Sequence, residues 1–235
     1  MVCMMFLRVL VIIMLGAAVV FAAQPNSLSE KEKSAGWKLL FDGSSIAGWK
    51  TFKGTAIEEK WKVSDGWLQC LGGGGGDIIT EQTYEEFDLT FEWKLERGGN
   101  SGLKYFVVRE RGPIGHEYQI LDNDRHPDAS KAEGKRLTAA FYDVLACDER
   151  AEPRPPMEIN KSRVLVKGNH VEHWLNGRRV LTCELGSEKV MAAVAGSKFK
   201  DTKSFGTRVR GHILLQDHTD LVWFRNIRIR DLSAR

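Results

Sequence analysis

The sequence predicts an all-β protein, a β-sandwich of antiparallel strands with one short helix. Two patterns and a composition carry that expectation. Apolar and polar residues alternate with a period of two along many short segments, the mark of strands with one buried and one wet face. Asn176-Gly177 separates two such segments, and that dipeptide favours a tight two-residue hairpin turn. Seven Trp, eleven Phe and 23 Gly among 235 residues suit aromatic-rich strands and turns better than helices. Hydrophobic residues make up 43% of the chain and charged ones 28%, which argues against disorder, collagen and a small disulfide scaffold. The 34 basic and 31 acidic residues leave a net charge of +3 without a long block of one sign. No nucleic-acid partner is therefore expected.

Residues 1–22 read as a cleaved secretory signal, with Arg8 before an apolar run from Val9 to Val20 and small residues before a cleavage point after Ala22. The run contains Gly16 and lacks a charged stop-transfer flank, so no stable membrane span is expected once the signal is removed. The mature chain is then expected to be secreted or periplasmic. Residues 23–35 read as a polar linker and residues 36–232 as one domain. Its expected strands are Trp67 to Leu71, Phe87 to Leu95, Ser101 to Val108 and Glu117 to Leu121. Arg163 to Lys167, Val171 to Leu175, Arg179 to Cys183, His212 to Leu215 and Val222 to Ile229 follow. In Phe87 to Leu95 every odd position is apolar and every even one polar, which predicts one wet face. Ser187 can cap a short helix over Glu188 to Ala195, closed by Gly196. The run Gly72 to Gly76 lacks the Lys-Ser/Thr of a phosphate loop and reads as a flexible turn. Once Cys3 leaves with the signal, Cys70, Cys147 and Cys183 remain, too few and too scattered for a zinc or redox motif.

The richest polar stretch is Gly115 to His126. On a strand, Glu117 and Gln119 project to one face about 7 Å apart, which suits a base with a polar helper or a grip on sugar hydroxyls. A glutamate on a wet face is also often simply solvated. Asp122, Asp124, His126 and Asp128 follow in a loop. Such a loop can hold a divalent cation, or it can be a turn capped by its own side chains. His173 shares a face with Val171 and Leu175, the setting of a hydrogen-bonded core histidine more often than of a base. Trp174 falls on the opposite face, where an indole can stack on a sugar ring. Asn100 in a tight turn, and Gln216 and His218 at the end of a strand, can line the same groove. No Gly-x-Ser-x-Gly, His-Glu-x-x-His or Glu-x-Asp-x-x-Glu is present. That disfavours serine hydrolases, zinc proteases and two-carboxylate glycosidases of the laminarinase type.

A series of motifs resembles the 3-keto-disaccharide hydrolase domain family, also described as 3-keto-glucoside lyase/hydratase domains. They include Gly36-Trp37-Lys38-Leu39-Leu40-Phe41-Asp42-Gly43, Gly76-Asp77-Ile78-Ile79-Thr80, Gly99-Asn100-Ser101-Gly102 and Glu117-Tyr118-Gln119-Ile120-Leu121-Asp122-Asn123. Tyr142-Asp143, Val171-Glu172-His173-Trp174-Leu175-Asn176-Gly177, Ser197-Lys198-Phe199 and Leu215-Gln216-Asp217-His218 continue the series. Met157-Glu158-Ile159-Asn160 departs from it by lacking a Trp. The resemblance implies a concanavalin A-like jelly roll acting on sugars already oxidised at C3. The ketone acidifies the C2 proton, a base removes it, the glycosidic oxygen leaves C1, and water adds to the enone. It implies Glu117 and His173 as candidates for the base, and Gln119, Asn100, Trp174, Gln216 and His218 as substrate contacts. Asp122 and His126 are then candidate ligands for a possible divalent cation, with no organic cofactor. The other function such a fold supports is a non-catalytic carbohydrate-binding module, because fold alone does not imply chemistry.

Overall fold

The structure is a computed structural model that describes residues 24–53, 57, 60–148 and 151–233. The expected signal lies outside the described residues. In chain order the elements are α1 (Glu30–Ser34), β1 (Trp37–Leu39), β2 (Trp49–Thr51), β3 (Trp61–Ser64), β4 (Trp67–Leu71) and β5 (Ile78–Tyr84). Then come β6 (Phe87–Leu95), β7 (Asn100–Val107), β8 (His116–Leu121), β9 (Asn160–Lys167), β10 (His170–Leu175) and β11 (Arg178–Glu184). The chain closes with α2 (Glu188–Ala195), β12 (Gly211–Leu215) and β13 (Leu221–Asp231). The strands form two antiparallel sheets, and the architecture is a jelly-roll β-sandwich. The eight-stranded sheet runs β11-β10-β9-β6-β13-β4-β3, with β1 also paired to β13, and the five-stranded sheet runs β2-β5-β12-β7-β8. No helix among the described residues is long and apolar enough to cross a membrane.

Every expected strand forms, and so does the helix capped by Ser187, whose side chain accepts from the Val190 N–H. Asn176 and Gly177 carry φ of 49° and 85° between β10 and β11, the backbone a two-residue hairpin needs. Four strands lack a sequence signal. β1 and β2 are only three residues long, too short to show a period. β3 also lies outside the expected strands. In β5 the buried Ile78, Ile79 and Thr80 precede the exposed Glu81 and Gln82, so no alternation runs through it.

Three expectations need correction. The fold has a second helix, α1, inside the expected linker. Ser29 and Glu32 close a capping box on it, and Asn26 and Asn226 exchange backbone-to-side-chain hydrogen bonds of 2.5 and 2.7 Å. That segment is bonded to the sandwich. The outer face of β6 is not wet. Asp88 is buried because Arg163 and Arg230 both donate to it, and Glu92 because Arg225 donates to it. The glycine run is anchored rather than a free turn, since the Gly73 N–H donates to the Thr219 carbonyl and the Gly76 N–H to Asp217. The three cysteines are unpaired, and burial pushes each thiol up to about 12.

The core between the sheets is aromatic and specifically bonded. Phe91 and Tyr118 meet edge to face at 5.5 Å. The Ser162 hydroxyl accepts from Trp93 Nε1 and bonds Tyr118 Oη, which ties β6, β8 and β9 together.

Candidate active site

β7 and β8 are antiparallel neighbours with Lys104 opposite Glu117 and Gly102 opposite Gln119. Directly opposite residues share a face, so these four project together, away from the core-facing Tyr105 and Tyr118. Gln216 leaves the end of β12 beside them, its N–H donating to the Gly102 carbonyl. The free edge of β8 is closed by residues 139–142. The Ala139 and Tyr142 N–H groups donate to the Gln119 and Glu117 carbonyls. This edge pairing brings Tyr142 over the same face. Across from it, the Lys198 N–H donates to Asp143 Oδ2, while Arg136 Nε donates to Asp143 Oδ1. The Lys198 ammonium lies 4.2 Å from the centre of the Tyr142 ring. Together these groups enclose a cavity of about 330 Å³ whose rim includes Pro113, Phe199 and His218.

Glu117 is 5% exposed. Among the described residues no hydrogen bond or ion pair reaches its carboxylate. Burial pushes its pKa up, against the opposing pull of Lys104 and Lys198. Burial likewise pushes Lys198 down, against Glu117 and Asp143. Two amide oxygens at the cavity, Asn100 Oδ1 and Gln216 Oε1, are buried without a partner. A buried acceptor left unpaired costs about 1–3 kcal/mol, so such atoms gathered in one cavity mark a place where a ligand supplies the missing bonds. Gln119 is 1% exposed, and its Oε1 accepts from the Ile120 N–H. A larger hollow of about 740 Å³ beside Asp122, Cys147 and Pro153 has no unpartnered buried polar side-chain atom among the described residues that line it.

The structure thus gathers Glu117, Gln119, Asn100, Gln216 and His218 at one cavity and separates three other expected residues from it. His173 is fully buried between the sheets. Its Nδ1 donates to the Ala139 carbonyl at 2.8 Å, and its Nε2 accepts from Tyr105 Oη at 3.1 Å. Burial lowers its pKa to about 4. With both nitrogens occupied and no exposed surface, it cannot serve as the base. Trp174 lies on the eight-stranded sheet, its Nε1 donating to Glu172, so it does not line the cavity. Asp122 is not positioned for a cation, because its carboxylate accepts from the Gly98 and Asp124 N–H groups and from Arg125.

His126 does belong to a cluster with ligand character. Its partners are His218 and Asp220, with ligand atoms within 4.8 Å of one another. Asp220 Oδ2 accepts from the Asn100 N–H, and His218 reaches both this cluster and the cavity rim. Two imidazoles and a carboxylate suit a divalent transition ion. His126 Nδ1 accepts from the Asp128 N–H, so coordination through Nε2 requires that bond to be released. Lys104, Lys198, Tyr142 and Asp220 are not marked as site residues by their own chemistry, although Lys198 and Tyr142 fall within the resembling motifs. The first two stand 94 positions apart in the chain, and no local spacing links them.

A family model described as a 3-keto-alpha-glucoside-1,2-lyase-like domain matches residues 36–230. A 3-keto-disaccharide hydrolase of Bacteroides thetaiotaomicron is 33% identical over 245 residues, covering 90% of this chain and 84% of that protein. The crystal structure of a candidate glycosyl hydrolase from Parabacteroides distasonis superposes with a TM-score of 0.81 at 34% identity, covering 89% of this chain and 100% of that one. A second from the same organism gives 0.67 at 26% identity, over 83% of this chain and 99% of that one.

Proposed function

The chain belongs to the 3-keto-alpha-glucoside-1,2-lyase-like family, and from that premise we propose that it is a hydrolase of 3-keto-glycosides working by elimination and rehydration. The observation that carries this reading is the Glu117 carboxylate, almost wholly buried and unpartnered, in a cavity with two lysines and two unsatisfied amide oxygens.

In this reading Glu117 takes the proton from C2 of the bound 3-keto sugar. Burial makes it a stronger base than an exposed carboxylate. The electron pair of the C2–H bond passes to the C3 oxygen as an enolate, which the Lys104 and Lys198 ammonium groups stabilise. The enolate collapses, a C1–C2 double bond forms, and the C1–O bond breaks. Lys198 donates the proton the departing oxygen needs. Water then adds at C1 and gives its proton back to Lys198, C2 is reprotonated from Glu117, and the net reaction is hydrolysis. Asn100, Gln119 and Gln216 hold the ring hydroxyls. One base and a cationic wall suffice for this route, in keeping with the missing glycosidase carboxylate pair. A divalent cation on His126, His218 and Asp220 would polarise the ketone and hold the enolate when bound. The reading includes export, with residues 1–22 removed and the mature chain secreted or periplasmic. N-terminal sequencing of the exported protein should then begin at Ala23.

The test is release of a chromogenic aglycone from a 3-keto-glucoside by the chain from Ala23, beside the unoxidised glucoside. Release from the keto sugar alone is expected. Glu117→Gln should lower turnover by about 10²–10⁴-fold, the usual contribution of a general base, while melting cooperatively. Chelator should reduce the rate, and zinc binding followed by calorimetry should weaken in His218→Ala. A folded protein that releases aglycone from neither sugar but is retained on polysaccharide would replace this reading with the binding module.

A further inference from the structure

We propose that the outer face of the eight-stranded sheet carries a second saccharide site, centred on Thr90 and Trp174 and separate from the Glu117 cavity. The pairing registers place Trp174, Arg163, Thr90 and Arg228 in one row across β10, β9, β6 and β13. Thr90 is the short member of that row. The long side chains beside it are drawn away, Arg163 to Asp88 and Arg228 to Glu32 of α1. A hollow of about 400 Å³ results, with Thr90 in its lining and Trp37 and Trp174 among its walls. That volume lies in the range of ~300–1,000 Å³ common for small-ligand sites.

Three features identify the occupant as a neutral sugar unit. First, Thr90 Oγ1 is buried without a hydrogen-bond partner, which leaves a donor and acceptor for a ligand hydroxyl. Second, the Trp174 indole is held by its bond to Glu172 and by Arg163, 5.4 Å from its ring centre. With Arg163 over one face, the fixed, half-buried indole offers its other face as the apolar surface on which pyranose C–H groups stack. Third, the cations at the hollow, Lys161, Arg163 and Arg228, are each ion-paired, with Glu92, Asp88 and Glu32. The hollow therefore has little net charge with which to select a phosphate or a uronate. Its paired carboxylates and cations still present acceptors and donors to vicinal hydroxyls. The Glu117 cavity belongs to the other sheet, so an occupant here touches no reacting atom. A glycan held on this face is kept near the enzyme, which raises its effective concentration at the cavity. The choice of sugar as occupant agrees with the proposed function, but the site does not depend on the cavity's chemistry.

The experiment is titration with a neutral β-glucan hexasaccharide, read by tryptophan fluorescence and calorimetry, on the wild type, Thr90→Gln, Trp174→Ala and Glu117→Gln. Thr90→Gln fills the hollow without removing a packing residue, so it separates a lost site from a lost fold. Wild type and Glu117→Gln should bind alike, whereas Thr90→Gln and Trp174→Ala should bind at least about ten-fold more weakly. Both should keep the wild-type kcat on a small keto-glucoside. Equal binding by all four proteins, loss of binding in Glu117→Gln alone, or no binding by the wild type would overturn the proposal. So would binding only to an anionic glycan such as dextran sulfate that disappears in high salt.

Discussion

Gly102 sets where the Glu117 carboxylate can lie. A Cβ at this position would stand 2.9 Å from Glu117 Cδ and closer still to Oε1, so the acid occupies the space a side chain would take. Gly102→Ala should displace it and lower kcat by at least about ten-fold. Stability should fall less than the ~1–3 kcal/mol of a typical overpacked core, because a side-chain end can move. Steady-state kinetics beside a thermal melt checks both. The titrations at this site have defined signs. Glu117 must be ionised to act as the base, and burial raises its pKa, so the acid limb of kcat/KM should lie above the usual 4.5 of a glutamate. Lys198 must be protonated, and burial lowers its pKa, so the basic limb should lie below 10.5. The raised Glu117 pKa also costs stability as pH climbs from 4.5 to the raised value, and the full cost stands above it, where the folded state holds a buried charge. Glu117→Gln should therefore melt higher than wild type at neutral pH. That gain should vanish below about pH 4.5, where folded and unfolded wild type are both protonated.

At the scale of elements, α2 delivers Lys198. The helix ends at Gly196, and Ser197 Oγ then donates to the Val194 carbonyl and accepts from the Phe199 N–H. One hydroxyl thus fixes the turn on both sides of Lys198. Ser197→Ala leaves the Phe199 N–H unpaired at a site 7% exposed, while the Val194 carbonyl keeps the Ser197 N–H, and should cost ~1–3 kcal/mol. It should also lower kcat by loosening the ammonium, whereas Ser187→Ala at the start of α2 should cost about 1 kcal/mol and leave kcat near normal. Denaturant unfolding and initial rates on the same two variants distinguish these outcomes. The β10–β11 hairpin and the 139–142 edge act similarly for the two sheets. The first completes the side of the larger sheet, and the second caps β8 and holds Tyr142 at the cavity.

At the scale of the whole molecule, buried histidines link the layers. His173 of the larger sheet accepts from Tyr105 of the smaller one and donates to Ala139 of the edge segment. His116 accepts from the Gly206 N–H and stacks 4.8 Å from Phe205. Burial lowers their pKa values to about 4 and about 3, from 6.5. Both are neutral in the folded state and take up protons on unfolding below pH 6.5, so their contribution to stability is present above that pH and is lost as pH falls. Each can remove up to about 1.4 kcal/mol per pH unit. The melting temperature should drop steeply between pH 6.5 and 4, and His173→Gln should flatten that dependence. At neutral pH the variant should be less stable yet should retain kcat in its folded fraction. A loss of kcat with unchanged stability would contradict the structural role.

Much of the fold is written in short-range signals within the chain. Period-two alternation marked nine strands, Asn176-Gly177 marked the hairpin, and Ser187 with Gly196 marked α2, because each signal lies within the element it specifies. It also marked Glu117 and Gln119 as neighbours on one face, since a strand's pleat places every second side chain together. Tertiary structure alone decided which of the polar residues meet. The pleat already put His173 and Trp174 on opposite faces, but only the packing of the two sheets set Trp174 on the side of the molecule away from the cavity. Lys104, Lys198 and Tyr142 converge on Glu117 only because β8 pairs with β7 on one side and with residues 139–142 on the other. Asp220 joins His126 and His218 only because two distant loops meet at one end of the smaller sheet. The burial that lifts the Glu117 pKa comes from that convergence, which depends on long-range packing and leaves no local pattern in the chain.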